Sequence, residues 1–256
     1  MADSTKAKVH NIFSVLFNHA VRYEWLKQGR NPITLVRQSA KRQSDPVVLE
    51  SKEIRAILAQ LEPCARLMVM LAVTAGLRRS ELVGLKWGDI SFREMQISIQ
   101  RSIYLGVIGG CKTETSRKPV PIEERVAADL WLRKESSKYN GLEDWVFASS
   151  RNRGRTPLWP NTVMAKLIRP AAERAGIHKK IGWHTFRHSY STLLTANGEN
   201  VKVVQELMRH ASSRFTLEIY SQACLTAKRE AQRRLVEAIL PERTQEPAPA
   251  IQSSSI

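Results

Sequence analysis

Cysteine is scarce: three residues in 256, at Cys64, Cys111 and Cys224. They are odd in number, far apart and without a CxxC pair, so they suggest neither a disulfide scaffold nor a zinc knuckle, and they fit a reducing compartment. Long apolar runs are missing as well. The longest, Leu67 to Val73, falls far short of the roughly 20 residues a membrane-spanning helix needs. The opening MADSTKAKVH lacks the apolar segment of a secretory signal, and the expected location is cytoplasmic, with no membrane partner. There is no Walker phosphate loop, no HExxH pair and no carboxylate cluster of the kind two-metal catalysis uses. Negative charge is in short supply: 24 Asp and Glu stand against 40 Lys and Arg, a formal charge of +16. That surplus suits a polyanionic partner, nucleic acid above all, although a basic soluble protein would show it too. The apolar fraction of 43% argues against wholesale disorder.

What is present is mostly helical pattern. In Val9–Leu26, Ile12, Val15, Leu16, His19, Ala20 and Tyr23 recur at three- and four-residue spacings, and Gly29, Asn31 and Pro32 follow as stop signals. A stripe this short must pack on something else. Residues 37–46, RQSAKRQSDP, are basic and polar and read as a linker able to lie against phosphates. Helices are predicted over 51–60, 65–75 and 81–85, with Gly76 ending the most apolar of them. Two short strands are expected, at 96–101 and at 118–122, the second bracketed by prolines as an edge strand would be. Between them lies a glycine-containing loop or hairpin, GVIGGCKTETSR. Trp145–Phe147 reads as a short buried segment. Further helices are expected over 122–138, 160–175, 184–196, 201–209, 216–222 and 227–240, and 241–256 reads as a disordered tail. The expected class is mainly α with a small antiparallel β-sheet (α+β).

Three segments place charge where core or turn residues would be expected. In TAGLRRSELVGL, Arg78 follows the helix-ending Gly76 by two residues, and Glu81, three residues on, can hold it by a charge-assisted bond. In HTFRHSYSTLL, His184 and Arg187 share one helical face, with His188 one turn from His184. In LMRHASSRFTLEIYSQ, His210 ends a helix and Tyr220 follows after a turn. Each taken alone has a plain alternative: a surface arginine, a packed histidine, a tyrosine on an amphipathic helix. Together they suit phosphate chemistry. Two guanidinium forks from separate elements can clamp the charge that develops on a phosphodiester without a metal. A histidine can move protons near neutral pH, and a tyrosine hydroxyl can attack phosphorus.

The order of these motifs resembles the tyrosine recombinases, the phage integrase family. GLRxSEL appears at Gly76 to Leu82, a hairpin lysine at Cys111-Lys112-Thr113, HxxRH at His184 to His188, and L-x-x-H followed by a helical tyrosine at Leu207 to Tyr220. The resemblance covers about Val47 to Leu225 and extends more loosely upstream. It implies that Tyr220 is the nucleophile, forming a 3′-phosphotyrosyl link and releasing a 5′-hydroxyl. Arg78 and Arg187 would clamp the scissile phosphate. Lys112 would protonate the leaving oxygen, with Lys118 nearby as the alternative. His184 would assist proton transfer, His210 would bond the phosphate, and Glu81 and His188 would support the site. It implies no metal and no cofactor, double-stranded DNA as partner, and self-association into a tetramer on paired DNA sites.

The sequence departs from the family pattern twice. The His210-to-Tyr220 spacing is one residue longer than common, the extra residue falling in the turn before the tyrosine helix. Only about 45 residues precede the catalytic segment, so 1–45 is expected to be a partial helical core-binding domain with the basic linker. Residues 46–240 would form the catalytic domain and 241–256 the tail. A chain so arranged reads as a fragment, a truncated gene product or a remnant of a mobile element, and is expected to grip DNA more weakly than a full-length relative. The activity expected is site-specific DNA strand cleavage and rejoining. The alternatives are a non-catalytic DNA-binding remnant and a type IB topoisomerase-like relaxing enzyme.

Overall fold

A computed structural model describes residues 3–36, 46–110 and 118–209. The linker expected over 37–46 lies outside them except for Pro46, as do the helices expected over 216–222 and 227–240 and the tail 241–256. The chain divides into two units, Met1–Pro46 and Val47–Ile256. Among the described residues no helix is long and apolar enough to cross a membrane.

The first unit is helix α1 (Asp3–Arg22) followed by a 3₁₀ turn at Pro32–Leu35. The helix stops earlier than its glycine and proline signals predict. Glu24 takes a left-handed φ of 61°, and the Leu26 N–H returns to the Ala20 carbonyl, closing the end before Gly29 is reached. The Asn31 side chain caps the 3₁₀ turn by accepting from the Ile33 N–H, and its amide donates to Asn18 on α1. Ile12, Phe13 and Leu16 are exposed.

The second unit is built around α3 (Pro63–Thr74). Seven of its residues, Ala65, Leu67, Met68, Val69, Leu71, Ala72 and Val73, are buried, so it is apolar nearly all round, as a central helix must be. Helices α2 (Ser51–Ala59), α5 (Glu124–Glu135) and α8 (Trp183–Ala196) pack on it. The one-turn helix α4 (Arg79–Leu82) follows directly. It is shorter than predicted because the Gly84 N–H returns to the Glu81 carbonyl and closes the turn.

Strands β1 (Ile90–Ser91), β2 (Gln96–Ile97) and β5 (Val120–Pro121) form an antiparallel sheet in the order β1-β2-β5, with Ile97 opposite both Ile90 and Val120. Pro121 sits on an edge strand, where its missing N–H does no harm. The strand predicted over 96–101 is divided between two sheets. Past Ile97 the chain leaves the first sheet, and β3 (Arg101–Tyr104) pairs instead with β4 (Val107–Gly110). Leu105 and Gly106 both take positive φ between them, the conformation that matches a two-residue hairpin turn to strand twist. The base of this hairpin is fixed by Arg101, which pairs with Asp89 at 2.5 Å and donates to the Gly84 carbonyl. Val146 and Phe147 are fully buried, and the Val146 N–H bonds the Leu85 carbonyl.

The helix expected over 160–175 runs as α6 (Pro160–Val163), a π turn (Met164–Ile168) and α7 (Arg169–Arg174). The wider turn lies just before Pro170, whose ring and missing N–H a regular α-helix interior would not accommodate. Helix α9 (Val201–Leu207) completes the described chain, its first turn capped by the Asn200 side chain. The architecture is mainly α with a small antiparallel sheet.

Gly76 is the joint that directs the chain out of α3 toward α4. Its φ is +59°, and a β-carbon there would lie 2.7 Å from the Tyr190 ring. Gly76→Ala is expected to destabilise the second unit by about 1–3 kcal/mol, read as a lower urea midpoint at unchanged m-value. A midpoint equal to wild type would show that the turn and the ring both adapt freely.

Candidate active site

The end of α3, the start of α4, the middle of α8 and the end of α9 converge on one set of charged groups. Glu81 is its hub. The residue is only 3% exposed. Its Oε1 accepts from Arg78 Nη1 at 2.6 Å. Its Oε2 accepts from the Arg78 backbone N–H at 2.9 Å, which caps α4, and from Arg209 Nη2 at 2.7 Å. Burial by itself would raise the Glu81 carboxyl. The guanidinium groups of Arg209 and Arg78, with the Arg78 N–H, outweigh it and hold the group below the usual carboxylate range.

Arg78 is the accessible cation of the set, with about a third of its side chain exposed. Its second amino group, Nη2, donates to the Arg209 carbonyl at 3.1 Å. Arg187 projects from α8 and is buried. Its Nη1 donates to the Gly76 carbonyl and its Nη2 to the Met208 carbonyl, so one side chain joins the end of α3 to the end of α9. Burial, then the nearby positive charge of Arg78, pushes Arg187 down to about 9, and it stays protonated at neutral pH. Three guanidinium groups therefore face a single buried carboxylate. The surplus is positive, and it opens to solvent at Arg78.

His184 stands on the exposed side of α8. Lost hydration of its ring, then the charges of Arg79, Arg187 and Arg78, lower its pKa, so the imidazole is held neutral and able to accept a proton. His188 is half-buried one turn along, its ring 6.4 Å from that of His184. Thr185 fixes the helix start, its Oγ1 accepting from the Gly182 N–H. Ser189 ties the beginning of the unit to α8 by accepting from the Leu49 N–H at 2.8 Å. Tyr190 lies beside Arg187 and Arg209; burial raises its phenol above the ordinary value despite those two cations. Among the described residues no group of three or more His, Cys, Asp or Glu is placed to hold a metal ion.

The structure thus brings together Arg78, Glu81, His184, Arg187 and His188 from the residues singled out in the sequence. Lys112, His210 and Tyr220 lie outside the described residues. Lys118, the alternative hairpin lysine, is exposed just before β5. Arg209 was not singled out. It occupies an unassigned position of the L-x-x-H motif, and its only sequence signal is a cation directly before the motif histidine. Arg79, which the sequence motifs leave without a role, donates to Asn161 Oδ1 at 3.1 Å and adds to the positive field at His184.

Replacing Glu81 would leave three buried or half-buried cations facing one another. Glu81→Gln is expected to cost about 3 kcal/mol at pH 7. Because the folded-state carboxyl is depressed, that contribution is present above the unfolded carboxylate value and lost as pH falls through the folded one. The stability gap between wild type and variant should therefore narrow in acid. Urea unfolding across that range checks it, and a gap independent of pH would contradict it.

Residues 47–225 match the phage integrase family. The tyrosine recombinase XerA of Thermococcus onnurineus is 33% identical over 202 residues, covering 76% of this chain and 65% of that protein. A tyrosine recombinase XerC-like protein of Caldanaerobacter subterraneus subsp. tengcongensis is 27% identical over 258 residues, covering 90% of this chain and 65% of that protein. The chain spans just under two thirds of the length of these relatives. In fold it is similar to the Tn1549 transposon integrase, solved in complex with a circular intermediate DNA, at a TM-score of 0.74, 19% identity, and coverage of 92% of this chain and 80% of that one. It is also similar to the XerA recombinase crystal structure, at a TM-score of 0.59, 23% identity, and coverage of 84% and 71%. With the match running from Val47 through α9 and beyond, and with the guanidinium pair and its carboxylate assembled at one place, the chain belongs to the phage integrase family of tyrosine recombinases.

Proposed function

We propose that this chain binds double-stranded DNA and breaks and rejoins one strand at a time through a covalent 3′-phosphotyrosyl intermediate, as a site-specific recombinase or integrase. The observation that carries this is the convergence of Arg78 and Arg187, from separate elements, at one place: Arg78 and Arg209 pair with the buried Glu81, Arg187 ties the ends of α3 and α9 beside them, and a net positive charge is left over at the solvent-facing side.

The chemistry follows from the groups. A phosphodiester drawn to Arg78 loses part of its negative charge to the guanidinium fork, which stabilises the extra charge of the pentavalent transition state. The Tyr220 hydroxyl attacks phosphorus. Its oxygen bonds to the phosphate, the bond to the 5′-oxygen breaks, and the hydroxyl proton is drawn off. His184, kept neutral by its surroundings, is suited to accept it. Lys112, two residues beyond Gly110 of the anchored hairpin, is assigned the proton for the departing 5′-oxygen. His210, next in sequence after Arg209, is assigned a bond to the phosphate, and Glu81 and His188 support the cations and the histidine. Reversal rejoins the strand without a high-energy cofactor, because the phosphotyrosyl bond keeps the energy of the phosphodiester it replaced. The relatives' names and the DNA-bound integrase fold support a DNA substrate, and the charge of +16 supports it independently. The family resemblance further assigns assembly as a tetramer on paired sites.

The test is a nicked suicide substrate made from the DNA flanking the gene. Wild type is expected to form a covalent protein–DNA adduct, and Tyr220→Phe to bind the same DNA with no adduct. An adduct at wild-type level in the phenylalanine variant would remove Tyr220 as nucleophile. Binding without adduct in wild type would leave the non-catalytic reading.

A further inference from the structure

Arg209 is among the largest fully buried side chains of the described residues. Its backbone holds φ at 49°, in the left-handed region that favours glycine and strains a residue with a β-carbon. Its Nη2 donates to Glu81 Oε2 at 2.7 Å, and its carbonyl accepts from Arg78 Nη2 at 3.1 Å. A glycine would supply that carbonyl without strain. What the arginine adds is a buried cation on one oxygen of the carboxylate that also holds Arg78.

We infer that Arg209 is a positioning residue for Arg78: by occupying Glu81 Oε2 it leaves the Arg78 side chain only Oε1, and so stops that guanidinium from folding onto the carboxylate as a bidentate pair. The inference rests on the proposed DNA cleavage at this site. With Arg209 in place, Arg78 spans from Glu81 Oε1 to the Arg209 carbonyl and keeps an exposed edge for a phosphate. Without it, Oε2 keeps only the Arg78 backbone N–H and its second acceptor position opens to the Arg78 fork, which can then bond both oxygens, a geometry guanidinium and carboxylate favour. Arg78 would then turn inward. The groups around Glu81 are Arg78 at the start of α4, Arg187 on α8 and Arg209 at the end of α9, with the Tyr190 phenol bordering Arg187 and Arg209. The charge of Arg209, like that of Arg78, holds the carboxylate ionised. Its loss should let Glu81 protonate at higher pH, and Arg78 should lose its hold there in acid.

The experiment measures single-turnover adduct formation across pH for the full chain, for Arg209→Gly and for Arg209→Lys. The Glu81 side-chain carboxyl is titrated by carbon-13 NMR in the same proteins without DNA. Arg209→Gly is expected to slow the adduct by about ten- to a hundredfold, with DNA affinity retained. The Glu81 titration should move to higher pH. Arg209→Lys, which restores a cation, should recover most of the rate and return the titration toward wild type. A glycine variant with wild-type rate, an unmoved Glu81 titration, or a lysine variant as slow as glycine would overturn the inference. If wild type forms no adduct, DNA cleavage fails as the function, while the Glu81 titration still decides the role of Arg209. If the glycine variant does not fold, the lysine variant decides: wild-type profiles support the inference, and a slow rate with a shifted titration overturns it.

Discussion

Everything at the site depends on a carboxylate that could not stay ionised alone. Glu81 is almost completely buried, and burial would drive it neutral. It remains charged because two arginines and a backbone N–H converge on its oxygens. The dependence runs the other way as well. Arg209 has no access to water, and Arg78, Arg187 and Arg209 repel one another; a single anion at their centre makes the cluster tolerable. Sequence neighbours supply one half of the arrangement, and Arg187 and Arg209, more than about 100 positions away, supply the other. The cluster therefore exists only when α4, α8 and α9 are all in place.

Arg187 shows how that requirement becomes architecture. Its two amino groups bond the carbonyls that close α3 and α9, so one side chain supplies donors to two buried helix-end acceptors. Gly76 supplies one of those carbonyls. The same left-handed turn gives room to the Tyr190 ring and aims the chain at Arg78. Packing, backbone conformation and charge are thus set by the same few residues, and a change at any of them is felt at the others. The positive remainder, presented at Arg78 with a neutral His184 near by, is what a phosphodiester would meet.

Much of this was legible in the residues. The apolar run Leu67 to Val73 marks α3 as the most apolar helix, which the structure places at the centre of the core, and the Arg78–Glu81 spacing predicts the short bond the structure contains. Three-residue spacing put His184 and Arg187 on one face of α8. Where local pattern misled, a longer-range partner decided the outcome. Alternation at Ile97 and Ile99 suggested one strand, but β2 finds its neighbours at Ile90 and Val120 while Arg101 is held by Asp89, and the strand splits between two sheets. The stop of α1 was sought at glycine and proline and falls at Glu24, a residue with no such signature. Arg209 was invisible for a similar reason. Nothing near it in the sequence announces that its guanidinium reaches Glu81, 128 residues earlier, and a positive φ on an arginine is not readable from composition.

The central claim is that Arg78, held by Glu81, acts on the negative charge of a scissile phosphate. The direct measurement compares wild type and Arg78→Ala on two suicide substrates, one with an ordinary phosphodiester and one with an uncharged methylphosphonate at the cleavage position. On the phosphodiester the alanine variant should lose at least about a hundredfold in adduct rate. On the methylphosphonate, which carries no charge to neutralise, the same substitution should cost far less. An equal loss on both substrates would contradict the account, placing Arg78 in the framework of the site rather than at the phosphate.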